Sequence, residues 1–124
     1  MELTINTIEK AFIAEGLDIT LMPGVDHLQN ETYKKTVITN YKLEVIIAAL
    51  NNEGQDKPWV DDYSDSDQYK YENVYEYSPS SGWSLTVVVG WNPGTNCGSR
   101  RVFRTRAIGR YFWEHFSDLI KEIL

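Results

Sequence analysis

The sequence has little cysteine and histidine, and each scarcity excludes a class of protein. Its single cysteine, Cys97, cannot form an internal disulfide, so the 124 residues must fold around a hydrophobic core. Of its two histidines, His27 has no partner at metal-ligand spacing, and no glycine-rich phosphate loop is present. We therefore predict a protein without catalytic activity, without a bound metal and without a cofactor.

Long hydrophobic runs are also absent. The longest purely apolar stretch extends from Val45 to Leu50, far short of the roughly 20 residues that cross a bilayer. The first residues, MELTINTIEKAF, lack the basic start and apolar stretch of a signal peptide. We expect a cytoplasmic protein that makes no membrane contact.

Charge is unevenly distributed along the chain. Eighteen acidic and 12 basic residues give a net charge of −6. Eight of the acids lie between Glu53 and Glu76, whereas all five arginines lie after residue 98. The acidic segment is either a solvated loop that partly neutralises the arginines or one half of a dipolar binding surface.

Hydrophobic periodicity predicts the helices of the chain. Apolar residues recur at helical spacing in residues 7–15, in residues 31–51 and, most clearly, in residues 105–124. Thr105 stands where it can cap the last of these helices. The polar, acidic residues 55–68 show no periodicity and predict a surface loop.

Alternation of apolar and polar residues predicts two strands, in residues 68–77 and 83–91, and a third strand is predicted around Val102 and Phe103 in residues 99–105. In the second strand, Val87 is predicted to share a face with Leu85, and Val88 to lie on the other face. The tyrosines of the first strand either form the core or remain open to stack on bases or on a partner's side chains.

These elements predict one α+β domain over residues 1–124. It consists of a helical part (1–54), the acidic loop (55–68) and a β-β-β-α part (69–124). In the last part, a three-stranded antiparallel meander is covered by the C-terminal amphipathic helix, because one face of a small sheet has to be buried.

Arginines near the third strand form a candidate anion site. Guanidinium groups bind phosphate or carboxylate through paired hydrogen bonds, and helix N-termini favour anions. A nearby tryptophan can stack on a base. The predicted nucleic-acid interface consists of Arg100, Arg104, Arg106, Arg110 and Trp91. The alternative is that these arginines pair with the acidic segment.

Two other patterns are weaker. The acidic run in residues 61–67 fits a calcium loop poorly, because Tyr69 occupies the fifth position and Lys70 stands where glycine is needed. Cys97 and His115 have no third orienting group, and His115 lies on the apolar stripe of the last helix. We therefore expect His115 to be a core residue.

Several short patterns occur in a characteristic order along most of the chain. They are Tyr41-Lys42-Leu43, Ala49-Leu50-Asn51, Tyr69-Lys70-Tyr71, Gly98-Ser99-Arg100, Phe103, Thr105-Arg106, Ile108, Tyr111 and Phe116. In this order they resemble a group of short proteins from Bacteroides-type gut bacteria and their phages and mobile elements. The resemblance implies a small accessory protein that acts on nucleic acid or on host proteins. It implies no catalytic residue or cofactor.

The sequence thus favours a non-catalytic, phage- or mobile-element-related accessory protein that binds another protein. One form of such binding is homo-oligomerisation through an exposed sheet edge, because an open three-stranded sheet leaves two edges unpaired. The alternative is a nucleic-acid-binding protein that uses the arginines and Trp91, and its binding would weaken steeply with salt.

Overall fold

The computed structural model describes residues 2–91 and 101–124. In this part the fold is α+β, with three helices and a two-stranded antiparallel sheet. None of the helices described has an apolar stretch long enough to span a lipid bilayer. The elements are α1 (Ile8–Ala14), α2 (Glu31–Asn52), β1 (Lys70–Ser78), β2 (Gly82–Trp91) and α3 (Arg106–Lys121).

Side-chain caps determine where the helices begin. Thr7, Asn30 and Thr105 precede the three helices, and each accepts a hydrogen bond from the amide three positions further on. These bonds satisfy N–H groups that have no partner within the helix. After α1 the chain turns at Gly16, whose φ of 69° favours glycine. The three predicted helices are confirmed.

The hydrophobic core lies where the C-terminal half of α2 meets α1 and α3. Leu43, Ile46 and Leu50 of α2 are fully buried, and Phe12 of α1 and Phe112 of α3 pack into the same cluster. Only this half of α2 is buried on several sides. Its first turns extend beyond the core into solvent.

A bulge in the β1–β2 hairpin decides which side chains face the core. Val74 lies opposite Val87, and the next residue of β1 lies opposite Leu85, which leaves Thr86 without an opposite residue. Val88 is therefore 2% exposed, whereas Val87 is 46% exposed. The prediction that Val87 shares a face with Leu85 is wrong, because the extra residue interrupts the period of two.

One side of the hairpin packs against α3, and we call it the inner face. Asn73 donates from Nδ2 to the carbonyl oxygen of Gly109 at 2.9 Å, and the ring of Tyr75 lies 5.2 Å from that of Trp113. Tyr71 also packs against the core. Burial on this face raises the pKa of the Tyr75 phenol. Tyr71 and Tyr75 of β1 therefore contribute to the core, whereas Tyr77 near the end of the strand is exposed.

The predicted third strand is reduced to a single bridge among its described residues. Phe103 exchanges two backbone hydrogen bonds with Tyr71, at 2.7 and 3.1 Å. Two residues later Thr105 caps α3, so the chain turns into a helix before a second pair can form. The prediction of a three-stranded meander is therefore wrong for residues 101–105. Residues 99 and 100 lie outside the described part.

Helix α3 comes close to the inner face at Gly109. A Cβ atom at this position would lie 2.7 Å from Oδ1 of Asn73 and 3.1 Å from Cγ1 of Val88. Asn73 has little freedom to move, because its Nδ2 is bonded to the Gly109 carbonyl. The absence of a side chain at residue 109 therefore sets the distance between helix and sheet.

We expect Gly109→Ala to destabilise the protein by about 1–3 kcal/mol, because overpacking at this contact exceeds the gain in helix propensity. Urea unfolding measures the change. Gly24→Ala is the control, since no atom lies within 4 Å of its added Cβ. A Gly109→Ala variant as stable as the wild type would contradict the close approach.

Candidate binding surfaces

Arg104, a member of the predicted anion site, is bound to the end of α2. Asn51 is 3% exposed; its Oδ1 accepts the Arg104 amide at 2.7 Å, and its Nδ2 donates to the Val102 carbonyl at 2.9 Å. In return, Nε of Arg104 donates to the Asn51 carbonyl at 2.9 Å. We call these three bonds the Asn51 clasp. The guanidinium charge also suits the negative end of the helix dipole.

The two residues after Asn51 hold further parts of the chain. Asn52 accepts the Trp59 amide at 2.7 Å and so fixes the start of the acidic loop. Glu53 accepts the amide and the hydroxyl of Thr4, at 2.6 and 2.7 Å. The sequence identifies these residues only as a helix stop. Their partners are distant in the sequence, so no local pattern indicates them.

Arg106 lies across the inner face of the sheet. Its guanidinium is 5.2 Å from the centre of the Tyr71 ring, and Nη1 donates to the Val88 carbonyl. Gly90 leaves room for it, since a Cβ there would lie 3.1 Å from Nη2. The backbone N–H and C=O of Tyr71 bond to Phe103 and therefore point away from β2. In an antiparallel pair the opposite residue, Gly90, then points away from β1, and so does Val88 two residues before it. The Val88 carbonyl therefore lies on the free edge of β2. Arg106 therefore occupies part of that edge.

Trp91 and Arg106 lie on opposite faces of the sheet. Trp91 is opposite Lys70 in the register, one residue away from the pair that contains Tyr71. Its Nε1 donates to Oε2 of Glu72 at 3.0 Å. The structure therefore does not bring Trp91 together with Arg106 as one stacking site.

The remaining arginines of the predicted interface are also dispersed. Arg110 is exposed and forms no hydrogen bond or ion pair with the residues described. Arg100 lies outside the described part. Arg104 is bound in the clasp, and its Nη2 is buried without a hydrogen-bond partner there. The nucleic-acid interface stays a prediction. Among its described arginines, Arg110 is exposed and has no partner in the described part of the chain.

His115 does not lie in the core. It is exposed, and its ring packs on that of Tyr111 at 4.2 Å between centres. The buried stripe of α3 follows Ile108, Phe112 and Phe116, and position 115 lies on its flank. The prediction of a core histidine is therefore wrong. Within residues 2–91 and 101–124, no three His, Cys, Asp or Glu side chains form a group that could hold a metal ion.

The acidic loop folds over Lys70 on the side of the hairpin opposite α3, which we call the outer face. Lys70 is 1% exposed; its Nζ donates to the carbonyls of Asp62 and Gln68 at 2.9 and 3.2 Å and lies 4.7 Å from the Tyr63 ring. The hydroxyl and amide of Ser64 bind the Asp62 carboxylate and lower its pKa. The loop thus holds an anionic surface beside the outer face.

The outer face carries a contiguous apolar stripe. Val74 and Val87 lie opposite each other and are 42% and 46% exposed. Directly opposite side chains have Cβ atoms about 5 Å apart, so the two valines contact each other and form one continuous apolar surface. Val89 lies on the same face and is partly buried. We call these three residues the valine stripe.

Other apolar side chains are exposed on single helices. Ile13 on α1 is 78% exposed, and Val37 on α2 is 40% exposed. The valine stripe differs because residues of two neighbouring strands form it together. Such a contiguous apolar surface is typical of a protein-binding site.

Comparisons of the chain with protein-family models, with curated proteins and with solved structures found no match. Its function is therefore inferred from its own surfaces.

We expect Asn51→Ala to lower the free energy of unfolding by about 2–4 kcal/mol, because the Val102 carbonyl and the Arg104 amide lose their shared partner. Urea unfolding measures the loss. Asn6→Ala is the control, since the Asn6 side chain binds only the surface ammonium group of Lys10. Equal stability losses in the two variants would contradict a structural role for the clasp.

Proposed function

We propose that the protein is a non-catalytic accessory protein that binds another protein through the outer face of its β1–β2 hairpin. The observation that carries the proposal is the exposure of Val74 and Val87 directly opposite each other. Transfer of apolar surface out of water is the main driving force of most protein association. A partner that covers the valine stripe would gain that free energy.

The free edge of β2 is less suited to binding than the outer face. Arg106 donates to the Val88 carbonyl on that edge, and the bulge at Thr86 interrupts its regular spacing. Natural sheets use bulges and charged residues to prevent pairing with another strand. The predicted homo-oligomer through a sheet edge therefore has less support than a partner on the outer face.

The arginines support a protein partner more than a nucleic acid. Arg104 and Arg106 both use their guanidinium groups to bind carbonyls of their own chain. Affinity for nucleic acid depends on several cations that neutralise phosphates together, and the net charge of −6 opposes it. The resemblance to short proteins of phages and mobile elements implies an accessory role for either kind of partner, so the preference rests on the arginines and the net charge.

A capture experiment with matched variants tests the proposal. The double variant Val74→Thr/Val87→Thr keeps the β-branched shape, and its hydroxyls make burial against a partner unfavourable. We expect a protein from a lysate of the native host to bind the wild type and to bind the double variant about tenfold less. Val37→Thr is the control, because its valine is similarly exposed but lies on α2.

Circular dichroism and urea unfolding establish that all three proteins are folded. Capture of the same proteins by the wild type and by both variants would refute the proposal. Loss of binding in Arg110→Ala, together with recovery of nucleic acid at low salt only, would favour the nucleic-acid alternative.

A further inference from the structure

We propose that the partner presents a basic apolar segment to the outer face, in which apolar side chains are flanked by lysine or arginine. This inference rests on the proposed function and adds the chemistry of the partner. Its basis is the charge around the valine stripe. Carboxylates border the stripe along β1 and at the end near the acidic loop, and the β2 side is neutral.

Along β1, a glutamate stands on each side of Val74. Glu72 and Glu76 lie two residues before and after it, so all three share the outer face. Residues on one face of a strand are about 7 Å apart, within reach of a lysine or arginine that docks beside the valines. Glu72 is held in place by Nε1 of Trp91. Glu76 is exposed and forms no ion pair among the described residues.

Near Val89, at the end of the stripe that is closest to Lys70, the acidic loop adds further carboxylates. The Asp62 carboxylate accepts hydrogen bonds from the amide and hydroxyl of Ser64, and Asp65 accepts the Asp67 amide at 2.9 Å, so these two carboxylates are held in place on the loop. Lys70 is one cation close to this surface, and its charge helps to lower the pKa of Asp62. Its ammonium group is buried beneath the loop and bonded to backbone carbonyls.

The same charges oppose a second copy of the chain as the partner. Two outer faces packed with β1 on β1 would bring Glu72 and Glu76 of one copy against those of the other, and packed with β1 on β2 they would bring the two acidic loops to the same end. Like charges placed together in an interface cost several kcal/mol. Lysine or arginine side chains would instead meet Glu76 and the loop carboxylates while the valines are covered.

Titration with designed peptides tests the inference. The probe is a strand-forming peptide in which valine alternates with lysine, and two matched peptides carry glutamine or glutamate in place of lysine. Heteronuclear NMR follows the amide resonances of Val74 and Val87. We expect the lysine peptide to shift both resonances saturably and to bind about tenfold more tightly than the glutamine peptide. The glutamate peptide should not bind, and salt should weaken binding of the lysine peptide.

A pair of charge variants completes the test. Glu76→Gln should weaken binding of the lysine peptide several-fold and leave the glutamine peptide unchanged. Glu9→Gln, an exposed position on α1, should change neither. Equal affinities for the lysine and glutamine peptides would overturn the inference and leave the proposed function standing. If none of the peptides shifts Val74 and Val87, the stripe itself is not a docking surface, and both proposals fail.

Discussion

A buried asparagine at the end of α2 joins the N-terminal helical half of the chain to the segment that leads into α3. Residues 102–104 run between α2 and β1, so their backbone needs partners on both sides. On one side Phe103 pairs with Tyr71; on the other, the Asn51 side chain pairs with residues 102 and 104. An amide side chain thus takes the place of a neighbouring strand. Only asparagine and glutamine offer an amide donor and a carbonyl acceptor side by side, and glutamine is one methylene longer.

The position of α3, and hence the exposed surface, follows from this constraint. The clasp fixes the chain just before Thr105 caps α3, which then crosses the inner face at Gly109. All three helices lie on the core side, so the described chain leaves the valine stripe open. Arg104 and Arg106 help to hold this arrangement, because their guanidinium groups donate to the carbonyls of Asn51 and Val88.

Local signals in the sequence predicted the local features of the fold. The three helices and the cap at Thr105 depend on residues a few positions apart. The bulge at Thr86 escaped prediction because alternation continues through it in the sequence, and the third strand was overpredicted because its short apolar pair, Val102-Phe103, does not show where pairing ends. They arise from packing against α3 and from the helix that starts at Arg106.

The candidate site was harder to predict than the fold. Arg104 and Arg106 resemble a phosphate-binding cluster in the sequence, yet their partners are carbonyls of Asn51 and Val88, distant along the chain. Lys70 looks like a solvent-facing residue of an alternating strand, and only the folded loop buries it. The valine stripe became visible once the bulge had placed Val87 opposite Val74 on the outer face.

Hydrogen exchange at the Arg104 amide tests the central role of the clasp most directly. This amide lies in a segment that is neither helix nor strand, and its acceptor is a side chain. If Asn51 joins the two halves, the Arg104 amide exchanges only through global unfolding, as slowly as the amide of Leu50 in the core of α2. Exchange of Arg104 at the rate of a solvated loop, while Leu50 remains protected, would contradict the account.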